Sequence, residues 1–439
     1  MTVALMTRAP ARQARLPRLL AGPAGIRTIG LLEHEETHGP LPLPGLRGRE
    51  KRDSASRLID VIERSGLTGR GGAGFPTGRK LRSVTTQRGR AVVVANGSEG
   101  EPSSGKDRLL LTRSPHLVLD GISLAAYAVG ADRAFLAMHR HEVRLARSLE
   151  AAAEARSAAG IDIVPIEIVG IPDRYVSSEQ SAIVQYLNGG PALPTFAPPR
   201  THERGFDGRP TLVNNVETLA HVALVARHGD QWFRSAGLPD AAGTMLVTVG
   251  GAVARPGVYE IEMGTPIGAV LMTAGGLIER PQAILTGGYF GTWLPIDIAW
   301  QLPLTHRHLK AVGGALGAGI IVALPDTSCG LAETARVVRY LAGETAGQCG
   351  PCVFGLPTLV DAVADLAYQG ELRAVRRIEM LAGLVAGRGA CKHPDGATQL
   401  VRSALTAFEA DAAWHQNRGP CYGVRRPPIL PVPGDLADW

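Results

Sequence analysis

The apolar and polar positions divide the chain into three stretches of different period. In the first, Ser54 to Arg64 reads as a short helix, and Ala91-Val92-Val93-Val94-Ala95 is an unbroken apolar run between Arg90 and Asn96-Gly97. A short β-branched run closed by turn residues predicts a strand buried on both faces, as in parallel sheets. Pro115 to Gly130 is apolar at helical spacing. Arg133 to Met138 and Ile161 to Ile168 each predict a strand, with a helix from Glu142 to Ala158 between them. Strands alternating with helices predict an α/β sheet with crossover connections.

The second stretch begins near Ala242. Thr244 to Val253 is β-rich, Ala254 to Glu260 reads as a turn returning into a strand, and Thr265 to Ala274 predicts a helix stopped by Gly275-Gly276. Gly287-Gly288-Tyr289-Phe290-Gly291 predicts a close backbone approach at a domain junction, because glycine has no Cβ to hold backbones apart. From about Leu331 the period is helical. Ala332 to Leu341, Leu356 to Tyr368, Leu372 to Ala386 and Asp395 to Trp414 predict a four-helix bundle.

Composition narrows the class. A chain of 439 residues with 45% hydrophobic residues has room for several cores, and at 5% aromatics those cores are aliphatic. The net charge of +6 gathers near the start, where Arg8, Arg12, Arg15, Arg18 and Arg27 precede the first acid, Glu33. Such an acid-poor segment is either a basic tail or a targeting leader. No apolar run is long enough for an export signal or a membrane span. No basic patch interleaves with aromatics, which argues against nucleic acid. Five clustered cysteines are too few for a disulfide framework, so a reducing, cytoplasmic setting with metal or cluster binding is expected.

The richest chemistry lies in Gly66-Leu67-Thr68-Gly69-Arg70-Gly71-Gly72-Ala73-Gly74-Phe75-Pro76-Thr77-Gly78-Arg79-Lys80. Glycines let backbone amides approach a ligand, and converging amides make a concave anion site. Arg70 and Lys80 add positive charge, so a phosphate-bearing nucleotide is the natural guest; a turn-rich surface loop is the plain alternative. Gly69 to Gly74 fits G-x-G-x-x-G, a weak pattern alone, and the Walker loop G-x-x-x-x-G-K-[ST] is absent.

Three further blocks change the picture. They are Asn96-Gly97-Ser98-Glu99-Gly100-Glu101-Pro102 with Lys106-Asp107-Arg108, then Pro210-Thr211-Leu212-Val213-Asn214-Asn215-Val216-Glu217-Thr218-Leu219-Ala220, then Cys349-Gly350-Pro351-Cys352 with Cys391 downstream. With the glycine loop, these resemble, in order, the NADH-binding 51 kDa-type flavoprotein subunit of respiratory complex I. The diaphorase subunits of NAD-linked hydrogenases and formate dehydrogenases share the pattern. The resemblance covers roughly residues 30 to 415. It implies a Rossmann-like α/β FMN domain, then a β-grasp (soluble-ligand-binding) domain, then a C-terminal four-helix iron–sulfur bundle; for the β-grasp, a spacer with no ligand of its own is the plainer reading and the one expected here. The expected divisions are an N-terminal extension over 1–50, the FMN/NADH domain over 51–240, the β-grasp over 241–327, the helical domain over 328–418 and a tail over 419–439.

The resemblance implies that Gly69, Arg70, Gly71, Gly72, Ala73, Gly74, Phe75 and Lys80 hold FMN, with the nicotinamide nucleotide lying over it. Asn96, Asn214, Asn215 and Thr218 would serve the flavin, and Glu99 and Glu101 would approach flavin and nicotinamide. Asparagines beside a helix start are also common caps. Tyr175 and Glu179 match a family stretch in which Gln180 replaces a second Glu and Ser178 a Gly; Ser98 replaces an Asp. An aromatic expected to stack on the adenine is missing, with Val84 near its place, and Ala197-Pro198-Pro199-Arg200 replaces a Lys-Pro-Pro-Phe-like element.

For the 4Fe-4S cluster, Cys349, Cys352 and Cys391 match three ligands, and Ala346 stands at the first. Three outcomes follow: Cys421 completes the set (Cys329 and His393 being less suited), or one iron keeps an open site, or the cluster is lost. The implied function is an electron-transfer subunit carrying hydride from NADH to FMN and single electrons through the cluster. The acceptor would be a ferredoxin-like or quinone-reductase subunit, in the cytoplasm or at the edge of a membrane complex. The alternative is a nicotinamide-independent FMN/iron–sulfur module fed by a ferredoxin-like partner.

Overall fold

The computed structural model describes residues 16–22, 25, 27–43 and 48–433, so Arg8, Arg12 and Arg15 lie outside the described residues. The α/β unit runs α1 (Leu31–His38), α2 (Gly48–Ser65), α3 (Thr77–Thr85), β1 (Ala91–Asn96), α4 (Lys106–Arg113), α5 (Pro115–Val129), β2 (Ala131–His139), α6 (Val143–Ala158), β3 (Ile166–Ile171), α7 (Gln180–Leu187), β4 (Thr211–Asn215) and α8 (Val216–Arg234). The sheet is parallel in the order β3-β2-β1-β4. The apolar run Ala91–Ala95 is fully buried because β1 lies inside that sheet with helices on both faces. Every residue of α5 is buried. Gly121 lets α5 touch α8, since a Cβ there would overlap the Leu219 carbonyl.

Two boundaries differ from expectation. The third strand begins at Ile166, not Ile161. Asp162 binds the Arg156 guanidinium at 2.7 Å and the Ser123 hydroxyl at 2.6 Å, which holds its segment as a loop. The first long helix starts at Gly48, earlier than Ser54, and turns Ala55, Ile59 and Ile62 inward.

The second unit contains the short strands β5 (Gly237–Leu238) and β6 (Ala241–Ala242), then β7 (Thr244–Gly251), β8 (Gly257–Glu262), α9 (Ile267–Thr273), β9 (Pro281–Thr286), β10 (Thr292–Pro295), α10 (Ile296–Ala299), α11 (His306–Ala311) and β11 (Ile320–Pro325). Its mixed sheet has the order β10-β9-β11-β7-β8, with β11 parallel to β7. Along β11, Ile321 and Ala323 face the core that includes α9. Ile320, Val322 and Leu324 face the helical unit, so one sheet serves two cores.

The third unit is α12 (Gly330–Gly343), α13 (Leu356–Ala364, extended by π-turns to Pro351–Gln369), α14 (Ala374–Val385), α15 (His393–Ala407) and α16 (Glu409–Arg418). The helix expected over Asp395 to Trp414 is therefore two helices. Phe408 breaks it with φ −117° and ψ 31°, and its buried ring sits against Gly330 and 5.3 Å from Trp293. The sequence has no uninterrupted apolar run of membrane-spanning length, yet Pro351–Gln369, which includes Asp361 and Asp365, is by helix length and composition apolar enough to cross a membrane. Its Leu356, Leu359, Val363 and Leu366 instead fill the helical core. The segment after α16 folds back: the Glu333 carboxylate accepts the amides of Ile429 and Leu430, and the Tyr289 hydroxyl donates to the Pro431 carbonyl.

Candidate active site

The chain leaves β1 for β2 and β3 on one side and returns to β4 on the other. The strand order therefore reverses between β1 and β4. Open parallel sheets bind ligands outside the carboxyl ends of their strands at such a reversal. Asn96 ends β1, and Asn214-Asn215 end β4 beside it. The glycine loop lies over the same edge, close enough that a Cβ on Gly71 would come 3.2 Å from Asn215 Cβ.

The loop is pinned at its base. The Gly69 amide donates to the Phe75 carbonyl at 2.9 Å and the Arg70 amide to the Thr218 hydroxyl at 2.8 Å. Above that base, the amides of Gly71, Gly72, Ala73 and Gly74 have no hydrogen-bond partner among the described residues. Gly72 (φ 108°) and Gly74 (φ 62°) take the left-handed conformations that glycine tolerates. The second unit backs the loop: Gly72 faces the Gly317 backbone, and the His306 ring fills the space a Cβ on Gly74 would need.

The charged residues divide into those facing this edge and those beneath it. Arg70 is beneath. Its guanidinium is buried, donates to the Thr68 and Thr244 carbonyls, and lies 4.0 Å from Glu217, so it braces the loop and does not reach for a phosphate. Thr218, fully buried, shares that role. Lys80 does face the edge: its ammonium donates to the Val213 carbonyl, and burial lowers its pKa to about 8 although Glu179 acts against this.

Asn214 is buried, and its side-chain nitrogen has no partner. Asn215 caps α8 through the Glu217 amide at 3.0 Å and donates to Asp107 at 2.7 Å. Asn96 donates to the Ser178 carbonyl and accepts from Ser98, the residue standing where an Asp was expected. Glu99 accepts the amides of Asp107 and Arg108 at the start of α4, and burial raises its pKa. Glu101 accepts the Tyr289 amide at 2.9 Å and the Tyr175 hydroxyl at 3.0 Å; burial outweighs these bonds and lifts its pKa to about 7. Gly288 allows this approach, since a Cβ there would sit 2.6 Å from Glu101 Oε2; what this glycine admits at the junction is a carboxylate and not the second backbone expected. Glu179 caps α7, and Gln180 is exposed at its first turn. Phe75 presents a 47%-exposed ring, whereas Val84 is buried on α3 and offers no surface to a base.

Sequence reasoning passed over the ion cluster beneath the cradle. Lys106, almost wholly buried, contacts Asp107 at 2.7 Å and Glu217 at 3.0 Å. The signal was present in the sequence, in Lys106-Asp107 and in Glu217 beside Asn214-Asn215. His306 carried no such signal, because it arrives from another domain.

The thiols fall into two groups. Cys349 Sγ and Cys352 Sγ lie 3.9 Å apart, and the Cys391 thiol interacts electrostatically with both. Burial raises the pKa of Cys349, but amides of Ala390 and Cys352 outweigh it and leave the thiol below its ordinary value. Burial and the neighbouring Cys349 push Cys352 up to about 12. Tyr175 packs against Phe290 and His393, whose centroids are 4.7 and 5.7 Å away, and Glu179 acts on Cys391. The 175–179 segment thus bridges the nucleotide edge and the thiols.

Cys421 does not join them. It lies with Cys329 and His415 at the other end of α12. Leu341, late in α12, bonds His393 beside Cys391, whereas Cys329 caps the start. Twelve helical residues separate those ends by about 18 Å. Cys421 as fourth ligand of the Cys349 group is therefore corrected. His393 Nε2 bonds the Leu341 carbonyl at 2.7 Å, and its Nδ1 is buried without a partner.

Comparison with known proteins matches residues 62–224 to the Nuo51 FMN-binding domain, 246–288 to the SLBB domain and 332–415 to the NADH-ubiquinone oxidoreductase-F iron–sulfur binding region. The F 2 subunit of the NADH-quinone oxidoreductase of Rhizobium meliloti (strain 1021) is 32% identical over 378 residues, covering 83% of this chain and 90% of the relative. This chain belongs to the F-type family of NADH-quinone oxidoreductase subunits. The F-type relative from Streptomyces coelicolor (strain ATCC BAA-471 / A3(2) / M145) is 32% identical over 373 residues, 82% of each chain. Among solved structures, the NAD+-reducing [NiFe]-hydrogenase in its air-oxidized state is similar with a TM-score of 0.77 at 31% identity, over 88% of this chain. The H2-reduced state gives a TM-score of 0.80 at 30% identity. This chain spans 65% and 67% of those hydrogenase chains.

The architecture of the F-type family, with an FMN unit, an SLBB unit and an iron–sulfur helical unit, is present in full. The residues fit the groups this family implies. Four free loop amides, a cation and an unpaired buried amide suit FMN, and three gathered thiols suit an iron–sulfur cluster. Members of this family work beside partner subunits.

Proposed function

We propose that this chain oxidises NADH and passes the electrons one at a time to a partner protein. FMN, when bound, accepts hydride and links two-electron to one-electron chemistry, and a 4Fe-4S cluster carries single electrons. What this chain adds is placement. The amides of Gly71 to Gly74, with Lys80, hold the phosphate. Asn96, Asn214 and Asn215 serve the ring edge, with Asn214 the donor that has no other use. Phe75 gives the dinucleotide a stacking surface, worth about 1–3 kcal/mol by analogy with other base stacking. Glu101 sets the charge beside the flavin. Cys349, Cys352 and Cys391 would each supply a thiolate to the cluster.

The observation that carries this reading is the convergence of a free-amide loop and an orphaned Asn214 at the sheet's reversal point, bridged by residues 175–179 to three thiols. Exposed Val353, Phe354, Met380 and Leu384 lie on the helix carrying Cys352 and on α14 packed against it. An apolar strip next to the thiols suits a partner docking to receive electrons, such as a ferredoxin-like or quinone-reductase subunit. We place the assembly in the cytoplasm, peripheral to a membrane complex. The ferredoxin-fed alternative draws on buried Val84 and exposed Gln180, which weaken the dinucleotide site.

Anaerobic titration of the purified chain with NADH decides between them. Bleaching of the flavin absorbance within the mixing time supports NADH oxidation; a flavin-loaded chain that millimolar NADH leaves oxidised rules it out.

A further inference from the structure

We propose that Cys329, His415 and Cys421 form a second metal site, one that takes a single Zn2+ ion and clips the C-terminal segment to the helical unit. Their ligand atoms lie within 4.8 Å of one another. Cys329 and Cys421 fall outside the iron–sulfur region matched at 332–415, and Cys329 lies about 18 Å along α12 from Leu341, whose carbonyl meets His393 at the Cys391 end. It is independent of the flavin and cluster reading.

The site is built rather than accidental. His415 is wholly buried on α16, and its Nδ1 lies 3.2 Å from the Leu366 carbonyl. A carbonyl only accepts, so Nδ1 carries the proton and Nε2 presents its lone pair. A metal-binding histidine is commonly oriented by such a bond. Nε2 is 3.8 Å from Cys329 Sγ and accepts the Cys421 amide at 3.1 Å. Two glycines make this approach possible. A Cβ on Gly370 would overlap the His415 carbonyl, and one on Gly423 would come 2.8 Å from the Cys329 nitrogen. The segment carrying Cys421 thus lies directly on the turn carrying Cys329.

Two thiols and an imidazole are a soft donor set that suits tetrahedral zinc. Cys421 lines a cavity of ≈ 400 Å³ together with Asp326, Asp411 and Arg426, a route by which water would reach the fourth position. Binding converts both thiols to thiolates, releases two protons, and moves His415 Nε2 from the Cys421 amide to the metal. No electrons are exchanged. The consequence is mechanical: the segment so fastened runs on to Pro431, which accepts from Tyr289, whose amide holds Glu101.

The test uses the full chain, flavin- and iron-loaded, kept reduced and anaerobic. After one equivalent of ZnCl2 and desalting, wild type should retain about one zinc. Cys421→Ser, at a half-exposed position, should bind zinc at least tenfold more weakly against a chromophoric chelator, with iron and flavin unchanged. Cys391→Ser should show the reverse, losing iron and keeping zinc. Reduced wild type that retains no zinc overturns the proposal, whether or not a Cys329–Cys421 disulfide is found on isolation. So does a Cys421→Ser chain that loses iron or keeps zinc unchanged. If that variant does not fold, Co2+ added to wild type decides: a thiolate-to-cobalt charge-transfer band supports the site, and its absence overturns it.

Discussion

Glu101 should titrate near neutrality, and replacing it with glutamine should remove that titration. The carboxyl is buried where the flavin unit meets the second unit. Its two donors, the Tyr289 amide and the Tyr175 hydroxyl, do not fully replace lost water. Burial lifts its pKa from 4.5 to about 7. At about 1.4 kcal/mol per pH unit, that shift corresponds to about 3 kcal/mol between protonation states. The sign follows from proton counting. Between pH 4.5 and about 7 the folded chain holds a proton that the unfolded chain has released, so this group's stabilising contribution is complete below 4.5 and is lost as pH rises through 7. Infrared difference spectra of the flavin-free chain should show a protonated carboxyl band that disappears with a midpoint near 7 and is absent in Glu101→Gln. The stability difference between mildly acid and mildly alkaline urea unfolding should be smaller in the variant by about 3 kcal/mol. Tyr175→Phe removes a donor to the ionised form and should move the midpoint up by about one unit. A midpoint near that of an ordinary glutamate, or an unchanged band in Glu101→Gln, would refute the argument.

Other outcomes follow from the same structure. Asn214→Ala should weaken flavin binding about tenfold, measured by fluorescence of released FMN, while leaving the fold intact, because the lost amide has no partner in the chain. Gly121→Ala should destabilise the chain by about 3 kcal/mol or leave it insoluble, since the new methyl overlaps the Leu219 carbonyl; wild-type melting would contradict the packing. Burial lowers the pKa of His116 from 6.5 to about 4. It therefore contributes stability above pH 6.5 that is lost as pH falls toward 4, and His116→Asn should flatten the unfolding curve in that window.

Much of this protein was legible from order and period alone. The run Ala91–Ala95 had to be an interior parallel strand, because its side chains leave no polar face for water. The glycine loop announced an anion site because only glycine lets amides converge, and the spacing of Cys349 and Cys352 announced a shared ligand. Such signals are local: they concern residues near one another in the chain. What only the tertiary structure decided concerns residues far apart. Arg70 reads as a phosphate ligand in sequence, yet it turns inward because Glu217 and the Thr244 carbonyl wait beneath it. Cys421 reads as a fourth cluster ligand, yet the antiparallel run of α12 and α15 carries it to the opposite end with Cys329 and His415. Which groups share a site depends on which ends of helices and strands are brought together, and packing sets that.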